Sequence, residues 1–130
     1  PAREPLRDYP VNIEEDRQQM VDIWYGILEK MGMPKPDYVN RLCINVNYSR
    51  DVDVNIHRDF HWNQKNCYSM ITYITNNPEL STIVFDEEGK EHKFPAKAGA
   101  SLLFSNLKHT FLLPKKGIRV VLVGTFYYDN

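Results

Sequence analysis

The sequence predicts a mostly β (α+β) fold, with one N-terminal supporting helix followed by a barrel of the jelly-roll type. Three observations predict it. Apolar residues recur at helical spacing only between Glu14 and Met31. Beyond Pro36 the chain breaks into short runs rich in β-branched and aromatic residues. Turn-forming clusters separate those runs at close intervals, the pattern of an antiparallel sandwich or barrel. A chain of 130 residues is expected to form a single domain, 1–130, with the helical support over about 13–32 and the barrel over about 41–128.

The helix rests on Met20, Ile23, Trp24, Ile27, Leu28 and Met31, which form one stripe at a period of 3.6. Asn12 is a candidate N-cap, and Glu14, Glu15 and Asp16 suit the positive end of the helix dipole. Gly32 is the expected stop, with Pro34 and Pro36 beyond it. Strands are expected at 41–48, 52–57, 68–75, 82–86, 92–95, 101–105, 110–114 and 119–128. Asn76-Asn77-Pro78, Glu88-Gly89-Lys90, Ala98-Gly99 and Lys115-Lys116-Gly117 supply the turns. The acidic run from Asp86 to Glu91 reads as a charged hairpin, because a Ca2+ loop needs a longer ligand pattern.

Charge excludes one class of partner. The formal net charge is −1, and no basic run exceeds Lys115-Lys116, so there is no electrostatic footprint for nucleic acid. No stretch approaches ~18 consecutive apolar residues, so no membrane span is expected. With no signal peptide in view, a cytoplasmic location is the expectation. Cys43 and Cys67 do not make a disulfide framework, and Cys43 in a strand reads as a buried thiol.

The chemistry concentrates in four residues. His57 and Asp59 are two positions apart at the end of an extended run, so a strand conformation points both to one face. A third candidate ligand, His109, follows downstream. Two imidazoles and one carboxylate on one face of a metal leave three positions open, as a non-haem Fe(II) oxygenase requires. Arg119 then offers a planar guanidinium that can grip a carboxylate through two parallel hydrogen bonds. Strand alternation sets Arg119, Val121, Val123 and Thr125 on one face, so Thr125 is a further candidate for the pocket. His61, close after the pair, reads as loop or site rim, because the Glu of a helical zinc motif is missing beside His57. His92 reads as a solvated histidine, and Trp62 as a residue bordering a substrate entrance.

Further residues carry a resemblance. Asn47-Tyr48 precedes the His-x-Asp pair, Ile71-Thr72-Tyr73-Ile74-Thr75-Asn76 follows it, and the segment Phe94 to Ser105 leads through Gly99 toward His109 and Arg119. This ordered set, from about Leu42 to Tyr128, resembles the 2-oxoglutarate and Fe(II)-dependent oxygenases with a double-stranded β-helix, nearest to their prolyl 4-hydroxylase-like branch. The resemblance implies that His57, Asp59 and His109 bind Fe(II). It also implies that Arg119 and Tyr73 hold the distal carboxylate of 2-oxoglutarate, and that Tyr48 lines the co-substrate pocket. It implies a dioxygenase that consumes 2-oxoglutarate and O2, with ascorbate as an auxiliary reductant, and hydroxylates an unactivated C–H bond with succinate and CO2 as co-products. The substrate stays open between a prolyl or other protein side chain and a small molecule. The family often has Gly-Gly before its fourth strand, where this chain has Glu79-Leu80-Ser81-Thr82. Some relatives use lysine where this chain has Arg119.

Two other classes stand beside this one. A cupin-like barrel would bind metal without 2-oxoglutarate, as an isomerase, another dioxygenase or a binding module. Cupins usually carry His-x-His and place the second histidine shortly after Pro-x-Gly, whereas here the pair is His-x-Asp and Gly99 stands well before His109. A degenerate barrel acting only as an interaction domain would bind no iron.

Overall fold

The computed structural model describes residues 13–49 and 54–129. The chain divides into two compact units, 1–35 and 36–130.

The first unit holds helix α1, Ile13–Lys30. Its first turn carries Glu14, Glu15 and Asp16, and its last carries Lys30, each sign set against the opposing end of the helix dipole. Trp24 and Leu28, one turn apart, are the buried members of the expected stripe, whereas Ile23 and Met31 are exposed. The helix ends in a Schellman motif. Gly32 N–H donates to Glu29 C=O at 3.0 Å and Met33 N–H to Leu28 C=O at 3.0 Å. Gly32 can close this motif because its φ of 78° lies in the left-handed region, where a side chain would be strained. The candidate cap Asn12 lies outside the described residues.

The second unit holds seven strands: β1 Tyr38–Tyr48, β2 Cys67–Tyr73, β3 Asn77–Phe85, β4 Glu91–Ala96, β5 Ser101–Ser105, β6 His109–Phe111 and β7 Ile118–Tyr127. They form two antiparallel sheets, ordered β1-β7-β2-β5 and β4-β3-β6. Alternation decides which residues face between them. Ile71, Tyr73, Phe104 and Val121 of the first sheet pack with Leu80, Val84 and Ala96 of the second in one core. Gly99 fastens this core at one corner. At a φ of 84° it turns the chain so that its N–H reaches Tyr73 C=O at 2.8 Å, while Tyr73 N–H reaches Ala100 C=O at 3.0 Å.

Several boundaries differ from expectation for identifiable reasons. Strand β3 starts at Asn77 and not at Thr82, with Pro78 tolerated because the register shifts between Asn77 and Ser81. Of the expected strand at 52–57, residues 52 and 53 lie outside the described residues. The remainder contributes one bridge, His57 to His109.

Strand β1 is inside out. Its outward residues Ile44, Val46 and Tyr48 are exposed and apolar, while Arg41, Cys43, Asn45 and Asn47 share the face that looks toward the second sheet. Of these, Arg41 is exposed, and the half-buried amides of Asn45 and Asn47 wall a polar pocket and not an oily core. Among the described residues no helix is long and apolar enough to cross a membrane.

Candidate metal and carboxylate site

The bridge between His57 and His109 builds the centre. His57 N–H donates to His109 C=O at 3.0 Å and His109 N–H returns the bond to His57 C=O at 2.9 Å. Residues paired this way project side chains to one face, and the two imidazole centroids lie 4.5 Å apart. Asp59, two residues on, brings its carboxylate to the same place. Oδ1 is 3.6 Å from His57 Nε2, and Oδ2 is 3.3 Å from His109 Nε2. One ligand atom from each of the three residues falls within 4.8 Å of the others.

The protons on these rings are constrained. His57 Nδ1 is 2.9 Å from Asn55 C=O and His109 Nδ1 is 2.9 Å from Leu107 C=O. A carbonyl only accepts, so each Nδ1 carries a hydrogen, and each Nε2 is left to meet the carboxylate either through a proton or across a bound cation. Lone pairs converging on an anion need a cation among them, either a proton on Nε2 or a metal ion. Burial pushes the Asp59 carboxyl up, but hydrogen bonds from His109 and Ser69 and the nearby histidine charges hold it below the usual carboxylate range. The site is therefore poised for a cation. Two imidazoles and one carboxylate fit Fe(II) with open positions.

A second feature lies beside it. Arg119 on β7 is only 3 % exposed, yet among the described residues no carboxylate pairs with it. Its Nη1 donates to Asn47 Oδ1 at 3.0 Å, and its guanidinium carbon lies 4.0 Å from the centroid of the Phe111 ring. Burial lowers its pKa to about 10, offset in part by Tyr73, so it stays cationic at neutral pH. A buried guanidinium without an acid is an unfilled anion site. Phe111 and His109 are alternate residues of β6, so the guanidinium is stacked about 7 Å along that strand from the metal cluster.

Tyr73 is buried on the same face as Arg119, opposite Val121 in the register. Burial raises its phenol, partly offset by the Thr82 hydroxyl and by Arg119. The Tyr73 and Thr82 oxygens are 2.6 Å apart. The structure thus brings His57, Asp59 and His109 together and sets Arg119 and Tyr73 on one inner wall.

Tyr48 is not among them. It pairs with Ile118 and not with Arg119, faces outward and is 62 % exposed, while Asn47 takes the inward place. Thr125 is buried and inward, but about 20 Å along β7 from Arg119. It stands opposite Ser69 and accepts from Asn40 Nδ2 at 3.4 Å. Asn47, Ser69, Thr82 and Phe111 were missed as site residues. Only Asn47 carried a signal, its period-two relation to the inward residues of β1.

An open groove of about 1170 Å3 reaches the cluster at His57. Arg58, Lys65 and Lys108 contribute to its lining, as do Asp86 and Glu87. Trp62 stands at its rim, 73 % exposed. His61 bonds to the Asn63 amide and takes no part in the cluster. His92 is not simply solvated, since its Nε2 meets Asp86 Oδ2 at 2.9 Å.

No family model and no curated protein matches the sequence. Among solved structures, a prolyl-4-hydroxylase from Pseudomonas putida matches with a TM-score of 0.62 and 18 % identity, over 94 % of this chain and 72 % of that one. The architecture is therefore a double-stranded β-helix like that of this prolyl-4-hydroxylase. Within it, this chain presents a His-Asp-His cluster of the kind that binds Fe(II).

Proposed function

We propose that the protein is an Fe(II)- and 2-oxoglutarate-dependent dioxygenase that hydroxylates an unactivated C–H bond, with succinate and CO2 as co-products and residues 1–130 acting as a single oxygenase domain. The observation that carries this reading is the buried Arg119, with which no carboxylate among the described residues pairs, beside the His57–Asp59–His109 cluster. 2-Oxoglutarate is a short diacid. One end has a carboxylate and a keto oxygen suited to chelation, and the other has a carboxylate suited to a guanidinium. The spacing of about 7 Å between Phe111 and His109 suits a molecule of that length.

His57, Asp59 and His109 would hold the metal, which supplies activation of O2 when bound. Arg119, oriented by Asn47 and stacked on Phe111, binds the distal carboxylate, and Tyr73 adds a phenolic donor on the same wall. Phe104, packed on the His109 ring and joined to the apolar core, helps keep water from the reacting end. Ascorbate serves as the auxiliary reductant. The groove at His57 is open and lined by Trp62 and by charged residues of both signs, which suits a side chain presented on a polypeptide. Within that class a prolyl residue is the first choice, by likeness to the Pseudomonas putida enzyme.

The test is titration of the Mn(II)-loaded protein with 2-oxoglutarate and with 2-oxobutyrate, which lacks the distal carboxylate. The proposal expects 2-oxoglutarate to bind at least tenfold more tightly. Equal affinities would remove Arg119 from the site and favour a cupin-like barrel that does not use 2-oxoglutarate.

A further inference from the structure

Ser69 is the residue in this site with the least conspicuous sequence and a highly specific contact. It lies on the inner face of β2 and is 2 % exposed. A hydroxyl has one hydrogen to give, and Ser69 Oγ gives it to Asp59 Oδ2 at 2.5 Å. The two oxygens of Asp59 are therefore not equivalent. Oδ2 accepts the hydroxyl and lies 3.3 Å from His109 Nε2, while Oδ1, 3.6 Å from His57 Nε2, accepts no hydrogen bond from Ser69 and keeps its lone pairs for a metal. The bond also fixes the rotation of the carboxylate, which is otherwise soft for a terminal sp2 group.

We infer that Ser69 is a positioning residue that holds Asp59 as a one-oxygen metal ligand, with Oδ1 as the donor. This rests on the metal reading above. The consequence is a count of positions. With two imidazoles and one carboxylate oxygen, a six-coordinate ion keeps three open positions, enough for a chelating 2-oxoacid and O2. A carboxylate bound through both oxygens leaves two, and the reaction then lacks a place for one partner.

Co(II) titration of wild type, Ser69→Ala and Ser69→Thr, followed by visible absorption, tests this. Loss of the hydroxyl should weaken Co(II) binding by about 10–100-fold and alter the d–d band shape and intensity. Ser69→Thr, which keeps the hydroxyl, should restore both. A merely structural serine would change thermal stability without changing the spectrum of the loaded site. A second measurement needs no variant. In the infrared difference spectrum of metal-loaded minus metal-free wild type, a one-oxygen carboxylate shows a wide separation of its two stretching bands. A narrow separation would overturn the inference even if Ser69→Ala does not fold. Wild-type affinity and spectrum in Ser69→Ala would also overturn it while leaving the oxygenase reading intact. A wild-type protein that binds no Co(II) would remove both.

Discussion

Arg119 poses the sharpest question at the scale of single residues. A guanidinium at 3 % exposure costs several kcal/mol in desolvation unless an anion accompanies it, and among the described residues it has only the Asn47 amide and the Phe111 face. Its companions are neutral, so they orient the charge without cancelling it. Arg119→Ala is expected to weaken 2-oxoglutarate binding by about 100-fold or more, the loss of a bidentate charge-assisted pair, while leaving Fe(II) affinity within about threefold. Arg119→Lys should recover part of that, because a single ammonium supplies the charge without the fork. Calorimetric titration of both variants checks this, and unchanged 2-oxoglutarate affinity in Arg119→Ala would remove the residue from the pocket. The residues that showed in the sequence were those of scarce type at a telling interval. His57, Asp59, His109 and Arg119 announce themselves by chemistry. Ser69 and Thr82 are ordinary hydroxyls whose importance appears only when a strand partner is known. Tyr48, expected to line the pocket, lies outward because the face of a strand residue depends on register. Asn47 meets Arg119, and a shift of one residue exchanges the faces.

At the scale of elements, the β3–β4 hairpin depends on one carboxylate. Asp86 Oδ1 accepts from the backbone N–H of Glu88 at 3.0 Å and of Lys90 at 2.9 Å, and Oδ2 meets His92 Nε2. These bonds, the His92 contact first, hold its carboxyl below the usual carboxylate range. A depressed native value means that the stabilisation is complete above the unfolded pKa of about 3.9 and is lost as pH falls through the native value. Asp86→Asn should therefore be less stable than wild type at pH 6, and the gap should close below about pH 4. Urea unfolding at the two pH values decides it, and a gap that is independent of pH would show that the carboxylate charge contributes nothing. This hairpin was legible from Asp86 to Glu91, since charged residues around Gly89 leave little else to form. The reach of β3 back to Asn77 was not, because Pro78 reads as a strand breaker until the irregular register is seen.

At the scale of the whole molecule, the two sheets share one interior with two characters. Toward Phe104, Val84 and Leu80 it is apolar, and along β1 and the start of β7 it is polar. The apolar part gives the site its rigidity. Phe104 is part of that core and also meets the His109 ring at 4.8 Å between centroids. Phe104→Ala should cost about 3–5 kcal/mol of stability and should also weaken metal binding by releasing His109. Chemical denaturation paired with Co(II) titration would reveal both effects, whereas a loss of stability with metal affinity intact would separate the core from the site. Fold class was readable from strand spacing alone. The line between the apolar and polar interiors was not, because it depends on which strands are neighbours. The order β1-β7-β2-β5 places the start and the end of the β-rich region side by side.

The most direct test of the central claim is an anaerobic titration of the metal-free protein with Fe(II) and then 2-oxoglutarate, followed by visible absorption. A weak metal-to-ligand charge-transfer band is expected that needs both components, is lost in His109→Ala, and requires far more 2-oxoglutarate in Arg119→Ala. Iron bound without such a band would contradict the use of 2-oxoglutarate, and no iron bound at all would contradict the metal site itself.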